Sequence, residues 1–438
     1  MISLQGADDA TVGAVAGPLS ADLGIGNTSI GLLVSLSSAA GVVAALPMGV
    51  LADRVRRVPV LSVAIVVWSL VSAASGFAGS FPMLLFTRLA LGAVLATATP
   101  MVASLIGDYF PGAERARIYG YVLAGELVGT GAGFLVSGTV AGLVSWRVAF
   151  FVLAGAGIGL AGAIHRLLSE PMRGAQPLDL QDVAVAGRVL GQSPATPEQS
   201  RVLAQSPQSM SVWAAVRYVL SIRTNVVLIV ASALTYFFFS GMRTFAVEYL
   251  AGRFGLPQPV ASLVVVLVGS GSVVGVLLAP RIAERLRGRG VVSGCPLVAG
   301  AALVVVVVLT VPSLLVGSLL LAAPLLFVGA AAYGAINPTL DAARLDIMHH
   351  QLWGRAEAVR TVLRSSFTAF APLTFGFVSS RVGGPSGLGL GPTFLLMLIP
   401  VAAAAWLLLV QGVRTYSRDV ATAAASEQRW PAGPDVRN

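Results

Sequence analysis

Apolar stretches of about 20 residues recur along nearly the whole chain, and they determine the solvent in which it can fold. A bilayer-spanning helix needs about 20 mostly apolar residues, and eleven stretches qualify: about 28–51, 58–78, 82–106, 115–141, 146–168, 224–250, 259–280, 291–311, 314–340, 356–380 and 392–413. Only 11% of the residues are charged, against about 25% in soluble domains. The chain cannot build a water-facing surface from this composition, so we predict an all-α membrane protein.

A twelfth stretch, about 5–18, is short and carries Asp8 and Asp9. It is long enough only for the outer half of a spanning helix, so we expect a truncated first helix. Either the start lies upstream of Met1 or the chain begins within the membrane. The predicted organisation is a six-helix bundle at 1–168, a cytoplasmic linker at 169–223, a second six-helix bundle at 224–413 and a disordered cytoplasmic tail at 414–438.

The arginines indicate the orientation. All 28 basic residues are Arg, and 22 of them fall on one side if the turn between residues 51 and 58 is cytoplasmic. Three lie in the opposite loops and three within spans, namely Arg147, Arg253 and Arg381, then Arg88, Arg243 and Arg364. Basic residues collect on the cytoplasmic side of membrane proteins. We therefore expect a multi-pass protein of the cell membrane, and the net charge of +9 indicates topology rather than a nucleic-acid partner.

The two halves of the chain repeat each other. The segment LADRVRR at 51–57 corresponds to IAERLRGR at 282–289, and Arg115-Ala116 corresponds to Arg355-Ala356. Matches in chain order at a nearly constant offset indicate a duplicated six-helix unit. Parallel repeats of six spans occur in major facilitator transporters.

Three motifs carry a resemblance to the major facilitator superfamily. The segment GVLADRVRR at 49–57 resembles its signature loop between spans 2 and 3, with Arg56 in place of the second Gly. Residues 88–92 resemble its R-x-x-x-G motif, and residues 125–133 resemble its glycine-rich helix 5 motif without the usual Pro. The resemblance implies two six-helix bundles. It also implies a cytoplasmic latch near helix 11, unless these charges only set topology; its residues would be Asp53, Arg54, Arg57, Arg115 and Arg117.

The first half is similar to the spinster-like branch, which moves lysolipids and sphingolipid-type amphiphiles. The matching segments include ADDATVGAVAGPLSADLGI and SWRVAFFVLAGAGIGL, and TYFFFSGMRTFAVEYLAGRFGL in the second half also fits. Two positions differ from the branch. Asp8-Asp9 replaces an Asp-Arg pair, and Leu95 replaces a Glu seven residues after the helix 4 Arg.

Ionisable residues within the spans are candidates for function, because each is costly unless it faces protein or water. Glu126 lies near the middle of its span, and its alternative role is a structural hydrogen bond. Arg88 and Arg243 lie nearer the outer ends, where snorkelling would also explain them. Whether Asp8 is such a candidate depends on the structure of the first helix. Arg364 shares a helical face with Glu357 and Arg360, which favours a cytoplasmic charge network.

No catalytic motif is visible, and we expect no cofactor and no metal; His349-His350 lacks further ligands at zinc spacing. The leading interpretation is a monomeric, proton-coupled secondary transporter that moves an amphiphilic small molecule or lysolipid by alternating access. The alternatives are a non-pumping lipid facilitator or regulatory membrane protein on the same fold, or a multidrug efflux pump. The expected partners are the substrate, protons and the lipid bilayer.

Overall fold

The computed structural model describes residues 1–110, 112–170, 196–203, 210–349, 352–383 and 389–430, and within these residues the regular structure is entirely helical. The α-helices in chain order are α1 (Ile2–Leu23), α2 (Asn27–Arg54), α3 (Arg57–Gly76), α4 (Phe81–Leu95), α5 (Ala98–Tyr109), α6 (Gly112–Leu143), α7 (Trp146–Leu167), α8 (Val212–Ser221), α9 (Arg223–Phe254), α10 (Gln258–Gly288), α11 (Gly294–Leu315), α12 (Leu319–Asp346), α13 (Trp353–Gly383), α14 (Leu390–Trp406) and α15 (Val413–Arg429). A π-helical turn, Leu407–Gly412, joins α14 to α15. The all-α prediction is confirmed.

The predicted spans all correspond to helices. Nine helices in the described part of the chain are long and apolar enough to cross a membrane, so this is a multi-pass membrane protein. The stretch at 82–106, predicted as one helix, is divided into α4 and α5. The interruption precedes Pro100, whose missing amide hydrogen is accommodated in the first turn of α5.

The first helix is longer than we expected. Helix α1 has 22 residues, or about 33 Å at 1.5 Å per residue, so the truncation inferred from residues 5–18 was too severe. Its first turns are held by packing on α6, where a Cβ added at Gly129 or Gly133 would collide with the carbonyl oxygen of Ser3 or Ala7. The helix is nevertheless shorter than its counterpart α9, which has 32 residues.

The predicted linker and tail contain two helices. Helix α8 lies within 169–223, and α15 covers most of the tail that we expected to be disordered. Two polar residues of α15 bind the backbone of an earlier segment, because Thr422 Oγ1 accepts from the Glu198 amide (2.9 Å) and Ser426 Oγ accepts from the Leu203 amide (3.2 Å). Residues 171–195, 204–209 and 431–438 of these two segments lie outside the described residues.

The described residues form two compact units. The first contains residues 1–170, 237–267 and 368–396, and the second contains residues 196–236, 268–367 and 397–430 except those not described. Within the first unit, α1 packs against α6, α3 against α7, and α2 against α4. Glycines permit this close approach: a Cβ at Gly92 of α4 would collide with the carbonyl oxygen of Ser37 on α2.

Candidate functional site

A buried ion pair joins α1 to α4 in the first unit. Arg88 Nη1 donates to both carboxylate oxygens of Asp8, at 3.1 and 3.2 Å. The Arg88 side chain is 1% exposed and the Asp8 side chain is 4% exposed. Burying two charges carries a desolvation cost that only their pairing and further hydrogen bonds offset, so this pair is a costly feature of the core.

The surroundings of Arg88 are partly polar. Its Nη2 donates to Ser75 Oγ on α3 (2.9 Å), and Ser75 Oγ lies 2.9 Å from Thr87 Oγ1. The guanidinium lies over the ring of Phe150 on α7, 4.9 Å from the centroid. The Nε atom is buried without a hydrogen-bond partner in the described structure. Arg88 is therefore held by three helices besides its own, and its burial rules out snorkelling.

The neighbouring carboxylate on α1 has a different partner. Asp9 Oδ2 lies 3.2 Å from Arg243 Nη2 on α9, with 32% and 23% of the two side chains exposed. Successive residues of a helix point about 100° apart, so the two aspartates face different neighbours. Close packing supports this contact, since a Cβ at Gly13 would lie 2.8 Å from the Arg243 carbonyl oxygen. Arg243, like Arg88, is a paired residue.

Further contacts in the first unit join α2 to α13 near the predicted outer end. Asn27 Nδ2 donates to Ser379 Oγ at 2.9 Å, and the hydroxyls of Thr28 and Ser380 are 3.0 Å apart. Two turns further along α2, the Leu373 amide donates to Ser35 Oγ at 3.0 Å. Together with Asp9 and Arg243, these contacts hold helices of the first sequence half against helices of the second half.

Glu126 occupies a half-buried position on α6. Its backbone packs closely on α1, because a Cβ at Gly6 would lie 2.6 Å from the Glu126 carbonyl oxygen. Arg88, the other candidate of this bundle, binds the carboxylate of Asp8.

Most of the predicted latch cannot be placed. The side chains of Asp53, Arg54, Arg115 and Arg117 lie outside the described residues. Arg57 is described, and its side chain is 1% exposed. It is the first residue of α3, and its contacts connect that helix to the chain following α7.

Glu170 caps the start of α3. Its Oε1 accepts from the Arg57 amide (2.9 Å) and from Arg57 Nε (3.1 Å), while Oε2 accepts from the Val58 amide (2.7 Å). Burial on its own raises the pKa of Glu170, but the hydrogen bonds from the Val58 and Arg57 amides, with the Arg57 charge, lower it below its usual value. This cap was not predicted, because Glu170 is 113 residues from Arg57 in sequence.

A second charged cluster lies in the second unit. Arg360 Nη2 contacts Glu357 Oε1 at 2.7 Å, and Arg360 Nη1 contacts Asp341 Oδ1 at 3.1 Å, which confirms the predicted network around Glu357 and Arg360. Arg364, one turn further along α13, lies over the ring of Tyr236, 4.4 Å from the centroid. The Tyr236 hydroxyl accepts from Asn337 Nδ2. Arg364 is thus part of an aromatic and amide group next to the ion-pair network.

Known proteins give three consistent matches. The family profile described as Major Facilitator Superfamily matches residues 1–372. A bacterial homolog of the human lysosomal transporter Spinster, solved in an inward-facing and unoccupied conformation, superposes with a TM-score of 0.78 at 20% identity, covering 95% of this chain and 96% of that one. Human protein spinster homolog 1 is 30% identical over 171 residues, covering 38% of this chain and 32% of its own length.

A further relative has a different kind of substrate in its name. The probable L-galactonate transporter of Escherichia coli strain K12 is 31% identical over 140 residues, covering 32% of this chain. The chain matches about a third of the length of this relative and of the human spinster homolog, at 31% and 32%. The resemblance to the spinster-like branch is confirmed, and the major facilitator fold predicted from the sequence is confirmed by the solved structure.

Proposed function

The chain belongs to the major facilitator superfamily, and we propose that it is a proton-coupled secondary transporter of the cell membrane that works as a monomer. Membership makes it a transporter rather than an enzyme. The observation that carries the proton coupling is the buried Asp8–Arg88 pair, next in sequence to the Asp9–Arg243 pair. We assign the coupling role to Asp8, Arg88 and Arg243, with Glu126 as a further acid.

The coupling follows from competition between a proton and an arginine for one carboxylate. Arg88 stabilises the charged form of Asp8, whereas burial favours the neutral form. If alternating access admits water or separates the pair, the proton affinity of Asp8 changes between the two states. A group that binds a proton in one state and releases it in the other couples proton movement to the conformational cycle.

The second aspartate, Asp9, extends this competition to a helix from the second half of the sequence, α9. Protonation of Asp9 would remove its attraction for Arg243, which ties α1 to α9. Asp8 and Asp9 are adjacent, with Cα atoms about 3.8 Å apart, so the charge on one affects protonation of the other. Protonation of α1 would thereby weaken its contacts with a helix of the first sequence half, α4, and with a helix of the second sequence half, α9.

We propose an amphiphilic small molecule or a lysolipid as substrate. The likeness to spinster proteins supports this class. A sugar acid or another organic anion is the second candidate, and the match to the probable L-galactonate transporter supports it. The group formed by Arg364, Tyr236 and Asn337 suits either substrate, because a guanidinium and an amide bind anionic oxygens.

Purified protein in proteoliposomes tests the proposal. A pH jump across the membrane should drive uptake of a labelled lysophospholipid or sugar acid, and a protonophore should abolish the effect. Asp8→Asn should remove the pH dependence, whereas Asp22→Asn, on the same helix but at an exposed pair, should keep it. Equilibration at equal rates with and without a pH gradient would indicate a passive facilitator, and transport of unrelated hydrophobic cations would indicate a multidrug pump.

A further inference from the structure

Helix α8 is short and amphipathic, and it directly precedes a spanning helix. Ser211 caps its start by accepting from the Ala214 amide (3.2 Å), and Ile222 alone separates it from α9. Ala215 and Val219 are buried, while Trp213 is 82% exposed and Leu220 is 41% exposed. Arg217 is also exposed, and positions 213, 217 and 220 share one face of the helix.

A groove of about 530 Å³ lies between this helix, the start of α9 and the π-helical turn. Its apolar wall is built from Leu220, Val226, Val227 and Val410, and its polar side carries Arg223, Arg414, Ser221, Gln411 and Thr415. A neighbouring groove of about 770 Å³ follows α8 past Trp213 and Arg217 and shares Leu220 and Ser221 with the first. Ligand sites typically occupy 300–1,000 Å³.

The arginines around these grooves have no carboxylate partner among the residues that the structure describes. Arg217, Arg223 and Arg414 are all exposed. The nearest acid in the α15 sequence, Asp419, is 4% exposed and already accepts from the Thr224 amide at 2.9 Å, with Arg201 at 3.8 Å. Within the described part of the chain, the positive charge of the grooves is therefore not balanced by a carboxylate.

We propose that the groove of about 530 Å³ binds an anionic glycerophospholipid of the cytoplasmic leaflet. The phosphate would lie between Arg223 and Arg414, and an acyl chain would follow the valines of α9 and the π-helical turn. A freely diffusing phosphate would use the arginines but not the apolar wall. Arginines next to the cytoplasmic end of a spanning helix attract anionic lipid, and tryptophan favours the membrane–water interface, which matches the exposed Trp213.

The test uses Trp213 as a local reporter in the full-length chain. The protein is reconstituted with brominated phosphatidylglycerol or brominated phosphatidylcholine, and quenching of its tryptophan emission is compared with that of Trp213→Phe, so that the other five of the six tryptophans are subtracted. We expect phosphatidylglycerol to quench Trp213 at roughly 30-fold lower mole fraction, from about 1 kcal/mol for each of Arg223 and Arg414 near an anionic surface. The double variant Arg223→Gln/Arg414→Gln should abolish that preference.

Matched variants separate this site from general surface charge. Arg285→Gln/Arg289→Gln removes the same charge from exposed positions on the same predicted side and should leave the preference intact. Arg223→Lys/Arg414→Lys keeps the charge and should retain the preference even if the Gln variant folds poorly. The proposal would be overturned if both double Gln variants lost the preference for phosphatidylglycerol equally, or if the parent protein showed no preference. Displacement of the lipid by equimolar inorganic phosphate would also overturn it.

Discussion

Replacing Asp8 by Asn removes the charge that balances Arg88 in the interior of the first unit. Breaking a buried ion pair by removing one partner costs about 3–5 kcal/mol, because the remaining charge stays desolvated. Asn can still accept a hydrogen bond through its amide oxygen, so we expect the lower end of this range, about 3 kcal/mol. Arg88 Nε already lacks a partner in the described structure, so little spare hydrogen bonding is available to compensate.

Asp22→Asn on the same helix is the matched control. The Asp22–Arg147 pair is shorter, at 2.6 Å against 3.1 Å. Its side chains are 44% and 34% exposed, and exposed pairs contribute only about 0–1 kcal/mol. The shorter pair is therefore expected to matter less, because solvent screening outweighs the distance.

The assay is thermal unfolding of purified protein in detergent, followed by intrinsic fluorescence, together with a double-mutant cycle using Arg88→Gln. Asp8→Asn should lower the unfolding midpoint clearly, Asp22→Asn should change it little, and Asp8→Asn/Arg88→Gln should recover part of the loss. Equal effects of the two Asn substitutions, or strictly additive effects in the cycle, would refute the claim that the buried pair is energetically coupled.

Three further outcomes are expected. Glu126→Gln should abolish the pH dependence of transport while the protein still folds; an unchanged pH profile in the proteoliposome assay would assign Glu126 a structural role. Asp53→Asn should slow transport more than it lowers the amount of protein in the membrane, and an unaltered transport rate would argue against the latch. Glu170→Gln should cost about 1 kcal/mol, as for other helix caps. Because the native pKa of Glu170 is lowered, this stabilisation is complete above its ordinary pKa of 4.5 and is lost as the pH falls through the lower native pKa; a difference between parent and variant unfolding that stays constant down to acidic pH would contradict this.

The spans could be predicted because hydropathy over about 20 residues is sufficient when the solvent is a bilayer. The same signal located α13 despite the charged residues in its first turns. It failed at the first and last helices, where Asp8, Asp9 and the polar residues of α15 resemble solvent-exposed sequence. These polar residues are held by partners elsewhere in the chain, such as Arg88 for Asp8 and the Glu198 amide for Thr422. A local window contains no information about such partners.

The candidate site was predicted in part. Arg88, Arg243 and Asp8 were identified from their cost in an apolar environment, but their pairing depends on how helices separated by many residues pack; Asp8 and Arg88 are 80 residues apart. Asp9 was not selected, although the sequence held a usable signal. Two adjacent acids within an apolar helix each require a cation, and Arg88 and Arg243 were two of the three arginines placed within spans.

The pairing on α1 has a consequence for electrical behaviour. The four side chains of Asp8, Arg88, Asp9 and Arg243 carry two negative and two positive formal charges, which sum to zero. Uptake of one proton leaves this group with a charge of +1. Translocation with a monoanionic sugar acid would then move no net charge, so its rate would be independent of voltage. A zwitterionic lysolipid would leave the +1 uncompensated, and each cycle would be subject to about 2.3 kcal/mol per 100 mV of membrane potential.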